Sequence, residues 1–217
     1  MRSMVSTDIA RGGGGPPVGI DGGGEGRGPE GQPGGHGAQR RASFTGLLVA
    51  LAAIFMFFAA ILSAFVIRRG ISGDWRPTPL PSIIWGNTVA LLLSSAMIEL
   101  ARRSLRAGRR VAFNRFWTAG TILGFLFLAG QGWAWWQLNE QGFYVNANPS
   151  SAFFYIFTVA HALHLFGGVI ALGYVNAQAL RLQMGPGKRT AADISALYWH
   201  FMDLLWLCLL AILAIWG

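Results

Sequence analysis

The run YWHFMDLLW over residues 198–206 places His200 and Asp203 three residues apart inside a segment, 194–217, that is otherwise apolar. A second pair, His161 and His164, stands in the apolar run AHALHLF. Spacings of three put each pair on one face of its own helix. Imidazoles and a carboxylate can share or pass protons, bond helix to helix, or hold a metal or haem, so these four residues are the chain's candidates for chemistry. Their depth narrows the choice. Asp203 lies nine residues past Ile194, about 14 Å along a helix and near the middle of a hydrocarbon core of about 30 Å. His161 lies nine residues past Ala152, starting from the other side, and reaches the same level.

The elements that carry them are membrane helices. Of 217 residues 53% are hydrophobic and only 12% charged, far from soluble composition. Five nearly uncharged stretches, 44–67, 82–101, 117–138, 152–180 and 192–216, are each long enough to cross a bilayer as a helix. The fourth exceeds one untilted crossing. No ten-residue alternation of the kind used by membrane barrels is present. The fold class expected is therefore an all-α membrane protein of five transmembrane helices over residues 42–217. Residues 1–41, with fourteen glycines, are expected to form a disordered cytoplasmic tail, because so little apolar surface cannot offset the entropy of ordering.

Charge sets the orientation. Of the 17 Lys and Arg, 14 fall in the tail, in the loop after the second helix and in the loop after the fourth. The other side holds Arg68, Arg69 and Arg76. Enrichment of cytoplasmic loops in Lys and Arg then puts the N-terminus inside and the C-terminus outside. The same scatter argues against nucleic-acid binding despite a net charge of +8, since no single basic face is formed. One cysteine, Cys208, excludes a disulfide framework and a paired-thiolate site, and is expected to be a small buried apolar side chain.

An unpartnered carboxylate at the midplane is expensive, so Asp203 is expected to face the bundle and meet His161 or His164 of the neighbouring helix. That buried polar network of His161, His164, His200 and Asp203 is one reading. Proton handling or a subunit interface, haem ligation by histidines of two helices, and a transport site are the others. Glu99 beside Arg102 and Arg103 reads as an ion-paired group at the helix end. Gln131, Trp133, Trp135 and Trp136 read as the interfacial close of the third helix. Gly120, Gly124, Gly167 and Gly168, with Ala53, Ala60 and Ala64, mark places for close helix packing. WRPTPLPS, with Pro77, Pro79 and Pro81, reads as a stiff extended loop.

Taken in order, MFFAAILSAFV, NTVALLLSSA, LFLAGQ, FYIFTVAHALHLFGG and the closing YWHFMDLLWLCLLAILAIWG resemble subunit III of haem–copper cytochrome c oxidases, in the short five-helix bacterial form. The resemblance covers residues 44–217. It implies a non-catalytic subunit of the bacterial plasma membrane that binds no cofactor. Haem and copper would belong to its partners, the catalytic subunit I and the copper-binding subunit II. It also implies bound phospholipid, for which Lys188, Arg189 and Trp199 are the contact candidates, support of proton uptake and of the catalytic subunit's stability, and association with a small further subunit or a respiratory supercomplex. The chain departs from the commoner pattern at Ile54 and Ala134, where acidic residues are frequent, so a relay through those positions is not carried over. The equivalent subunit of a quinol oxidase or nitric-oxide reductase, and a free-standing haem or transport protein, are the competing readings.

Overall fold

The computed structural model describes residues 35–71, 73, 80–142, 144–145, 148–181 and 186–216. Within them lie α1 (Gly35–Ile71), α2 (Ile83–Arg106), α3 (Arg110–Glu140), α4 (Pro149–Leu180) and α5 (Pro186–Trp216), with no strand among the described residues. All five are long and apolar enough to cross a membrane. Helices are what such sequences must form, because in hydrocarbon every backbone polar group has to be satisfied within its own segment.

The boundaries are set locally. Asn148 opens α4 by accepting a 2.9 Å hydrogen bond from the Ser151 amide, with Pro149 at the first helical position. Gly108, at φ 73°, supplies the left-handed residue that turns α2 into α3. α1 begins at Gly35, so residues 35–41, expected in the tail, are helical. The rest of that tail, residues 1–34, and most of the proline-rich loop, residues 74–79, lie outside the described residues.

α2, α3, α4 and α5 pack in sequence, and α5 returns to touch α2, closing a ring of four helices. α1 stands outside it, against α5 and α4 only. Its buried residues, Leu51, Phe58 and Phe65, recur every seven positions, and Phe65 packs edge-on to Phe153 and Phe157 of α4. Ala53, Ala60 and Ala64, expected to mediate close packing, are exposed instead, because large aromatic knobs rather than small residues seat this helix. At its far end the Arg69 guanidinium lies 5.3 Å over the Trp216 ring, tying α1 to the end of α5. Between α1 and α5 an apolar groove of about 180 Å³ is lined by Phe55, Phe58, Leu62, Leu204, Cys208 and Ile212. Cys208, expected to be buried, is exposed there.

Lipid tails are as apolar as leucine, so the ring cannot be held by burial of apolar surface alone. Close approach and interhelical hydrogen bonds do the work. Gly120 lies under Ile98, and Gly124 and Gly168 lie under the Trp199 ring. Gly167, by contrast, faces open space. Ser94 donates to the Gly120 carbonyl at 2.7 Å and Asn87 to that of Phe127 at 3.0 Å, joining α2 to α3. Trp117 donates to the Leu172 carbonyl at 2.9 Å and Thr118 to Asn176 at 2.7 Å, joining α3 to α4.

Candidate functional site

The four candidate residues come from α4 and α5, but they do not form one hydrogen-bonded network among the described residues. His161 is fully buried, and its ring lies 5.0 Å from Trp206 and 6.1 Å from Phe127, centroid to centroid. Neither ring nitrogen has a hydrogen-bond partner among the described residues. His164 turns the other way, toward Phe57 and Phe58 of α1, with its Nδ1 2.7 Å from the Ala160 carbonyl one turn back. Asp203 is 4% exposed; neither carboxylate oxygen makes a hydrogen bond of good geometry among the described residues, although the Ser95 hydroxyl of α2 lies close enough to interact with it. The expected contact from Asp203 to His161 or His164 is therefore not made. The cause is geometric: aromatic rings of Phe127, Trp206, Phe57 and Phe58 cover the histidines, and α5 presents its own histidine to α2.

His200 meets Ser95 of α2, Nδ1 to Oγ at 2.5 Å, and its Nε2 stands 3.8 Å from the Glu99 carboxylate. Glu99 pairs with Arg102 at 2.9 Å and Arg103 at 3.2 Å, as its spacing suggests. Arg102 then reaches across to α5 and binds Asp193 Oδ1 through both Nε (3.2 Å) and Nη2 (3.1 Å). A ladder thus climbs from the ionic end of the bundle, Asp193 to Arg102 to Glu99 to His200 to Ser95, binding α2 to α5. Higher up, Trp206 Nε1 donates to Thr88 at 3.0 Å and continues the same seam.

Glu99 and Asp193 sit partly exposed, with side-chain accessibilities of 31% and 27%. The Arg102–Asp193 pair should therefore be worth more than a free surface bridge and less than a buried one. Arg102→Met is expected to cost about 1 kcal/mol, and Asp193→Asn about the same. A double-mutant cycle on thermal unfolding, showing that the two losses do not add, checks that they report one interaction.

Of these residues, Ser95 and Thr88 were not singled out by sequence. Ser95 and Arg102 lie seven residues apart on α2, and Asp193 and His200 lie seven apart on α5. Matched two-turn spacings on antiparallel neighbours are a signal that could have paired them. Gln131, expected at the interface, is fully buried and faces the core, whereas Trp133 and Trp136 are exposed and meet edge-on, with centroids 5.2 Å apart. Trp135 leaves them to donate to Thr158 of α4 at 3.0 Å. Trp199, named as a lipid contact, is buried beneath Gly124 and Gly168 and cannot touch lipid in this structure. Arg189 is exposed, and the side chain of Lys188 lies outside the described residues.

Chemically, the arrangement joins helices. His161 of α4 lies between Trp206 and Phe127, His164 against Phe57 and Phe58, and His200 of α5 meets Ser95 and Glu99 of α2, so the histidines of the two helices do not share one site. Among the described residues no three His, Cys, Asp or Glu side chains converge as a metal ion would need.

Fold and site together define a multi-pass helical membrane protein whose intramembrane polar side chains largely bind helix to helix. The family model described as cytochrome c oxidase subunit III matches residues 34–217, which take in all five helices. The chain belongs to the cytochrome c oxidase subunit III family and is a multi-pass bacterial membrane protein. It is similar to the probable cytochrome c oxidase subunit 3 of Nocardia farcinica, at 29% identity over 76% of this chain and 84% of that one. The corresponding protein of Mycobacterium leprae is 28% identical over 77% and 85%, and the cytochrome c oxidase subunit 3 of Thermostichus vulcanus is 27% identical over 78% and 85%.

Proposed function

We propose that this chain is the non-catalytic third subunit of an aerobic haem–copper terminal oxidase of the respiratory chain. The observation that carries the reading is the family match, which spans the whole helical bundle. Membership in that family makes it part of an oxidoreductase complex. The finer reading is that it packs on the catalytic subunit I beside the copper-binding subunit II, which hold the haem and copper, and that it stabilises the catalytic subunit and supports its proton uptake. The cluster of Lys and Arg at one end of the bundle supports an N-terminus in the cytoplasm.

Purification of the full chain from its native membrane in mild detergent tests this. A haem-containing multi-helix subunit and a copper-binding subunit are expected to come with it. Arrival without the copper-binding subunit would point to a quinol oxidase or nitric-oxide reductase, and arrival alone would overturn the assignment.

Phospholipid is the proposed companion of the groove between α1 and α5, whose lining suits an acyl chain, and of the basic end, where Arg189 is exposed and Lys188 precedes it. Neutralising both, Lys188→Gln with Arg189→Gln, is expected to lower the phospholipid retained per mole of purified complex. Unchanged retention by mass spectrometry would remove these two residues from the lipid site.

Asp203 enters the same reading as a helix-seam residue. Because its carboxylate makes at most a weak contact with Ser95 among the described residues, Asp203→Asn and Asp203→Leu should each leave the thermal unfolding of the bundle within about 1 kcal/mol of wild type. A large loss in the leucine form alone, read by the same melt, would mean that Ser95 or a partner elsewhere in the complex holds the carboxyl group.

A further inference from the structure

We propose that the α1–α4 face around His164 is a docking surface for a transmembrane helix of another subunit, which presents a side-chain O–H or N–H donor to His164 Nε2. The inference rests on the reading of the chain as a subunit of an oxidase complex and names where one partner sits.

A carbonyl oxygen can only accept, so the 2.7 Å contact between His164 Nδ1 and the Ala160 carbonyl requires the proton to be on Nδ1. In the neutral ring Nε2 is then a bare acceptor, and no described group offers it a hydrogen bond. Unlike the nitrogens of His161, it is not sealed inside the bundle: His164 is half-buried at the seam of α1 and α4, beside Phe57, which is 46% exposed. One turn further along α4, Gly167 is exposed, and a Cβ added there would meet nothing within 4 Å, so a second helix can approach the backbone closely.

Depth selects the occupant. His164 stands midway along the 32 residues of α4, more than about 20 Å from either end. Lipid tails carry no donor, and headgroup donors lie at the surfaces of a core of about 30 Å. A donor at this level has to come from protein, and serine, threonine, tyrosine or tryptophan on a membrane helix supplies it.

The test uses the intact complex in its native membrane. A benzophenone side chain at Phe57, whose ring lies 5.8 Å from that of His164, is photoactivated and its adducts are sequenced. In parallel, His164→Leu, which removes the acceptor, and His164→Gln, which restores one, are compared for the amount of partner subunit that co-purifies. An adduct on a membrane helix of another subunit is expected, with retention falling roughly fivefold in the leucine form and recovering in the glutamine form. Adducts on lipid or on a small hydroxylated molecule alone, or wild-type retention in the leucine form, would overturn the proposal. Should the leucine chain fail to fold, the adduct decides. A wild-type chain that brings no haem-containing subunit would instead count against the oxidase reading.

Discussion

Gly124→Val is expected to lower the stability of the bundle by about 3 kcal/mol, the upper range for forcing methyl groups into a packed interior. A Cβ at this position would stand 2.7 Å from Cη2 and 2.9 Å from Cζ2 of Trp199, which is itself fully buried. The indole has nowhere to go: Gly168 of α4 lies against its other edge, 3.2 Å from where a Cβ would be added there. Relief therefore requires α3 and α5 to separate, which loosens the ring of four helices as a whole. The measurement is thermal unfolding of the purified complex, with Gly132→Val as control. Gly132 is on the same helix, where an added Cβ meets nothing within 4 Å, and its valine form should melt as wild type. Equal melting of the two variants would show that the α3–α5 contact is softer than its geometry indicates.

The second large effect belongs to Trp206. Its indole fills the centre of the ring, edge-on to Phe127 at 5.1 Å, beside His161 at 5.0 Å, and donates to Thr88. Trp206→Ala leaves a cavity of indole size, for which losses of about 3 kcal/mol or more are usual in water-soluble cores. Within a bilayer the transfer part of that loss shrinks, since lipid is apolar too, but the lost dispersion contacts and the unmade hydrogen bond remain. A loss of about 3 kcal/mol is expected for alanine and about 1 kcal/mol for phenylalanine, which keeps the packing and forfeits the bond. Thr88 is not stranded in the phenylalanine form, because its hydroxyl still donates to the Ile84 carbonyl at 2.8 Å. Thermal melts of both variants check the ranking, and a phenylalanine form as damaged as the alanine form would mean that the hydrogen bond rather than the volume holds the seam.

The helices could be read from composition and length because hydrocarbon allows a long apolar segment almost no alternative. Packing partners were harder. Small residues marked Gly120, Gly124 and Gly168 correctly, yet the same reasoning applied to Ala53, Ala60 and Ala64 failed, since what seats α1 is Phe58 and Phe65. The polar residues show the same limit. Depth and type marked His161, His200 and Asp203 as unusual, but the partner of a side chain depends on helix rotation, which a few tens of degrees alter and which apolar sequence scarcely encodes. His200 accordingly met Ser95 and Glu99 of α2 rather than a histidine of α4. Gln131 and Trp199 were misplaced for a related reason: in a bilayer tryptophan and glutamine suit an interface, and only the facing glycine or aromatic ring reveals that they point inward.

The position of α1 outside the ring bears on the order of events during synthesis. Of the five, this helix leaves the ribosome before the others, and the two it touches, α4 and α5, come after α2 and α3. Until they arrive it has no neighbour from its own bundle. Its apolar span has a mean hydropathy of 2.7, against 1.3 to 1.8 for the other four. That excess suits a segment that has to be soluble in lipid by itself, whereas the more polar α2 and α3 are adjacent in the chain and satisfy Asn87 and Ser94 of α2 on carbonyls of α3 soon after they emerge. Of these five helices, α1 is the earliest made and the last packed against its bundle.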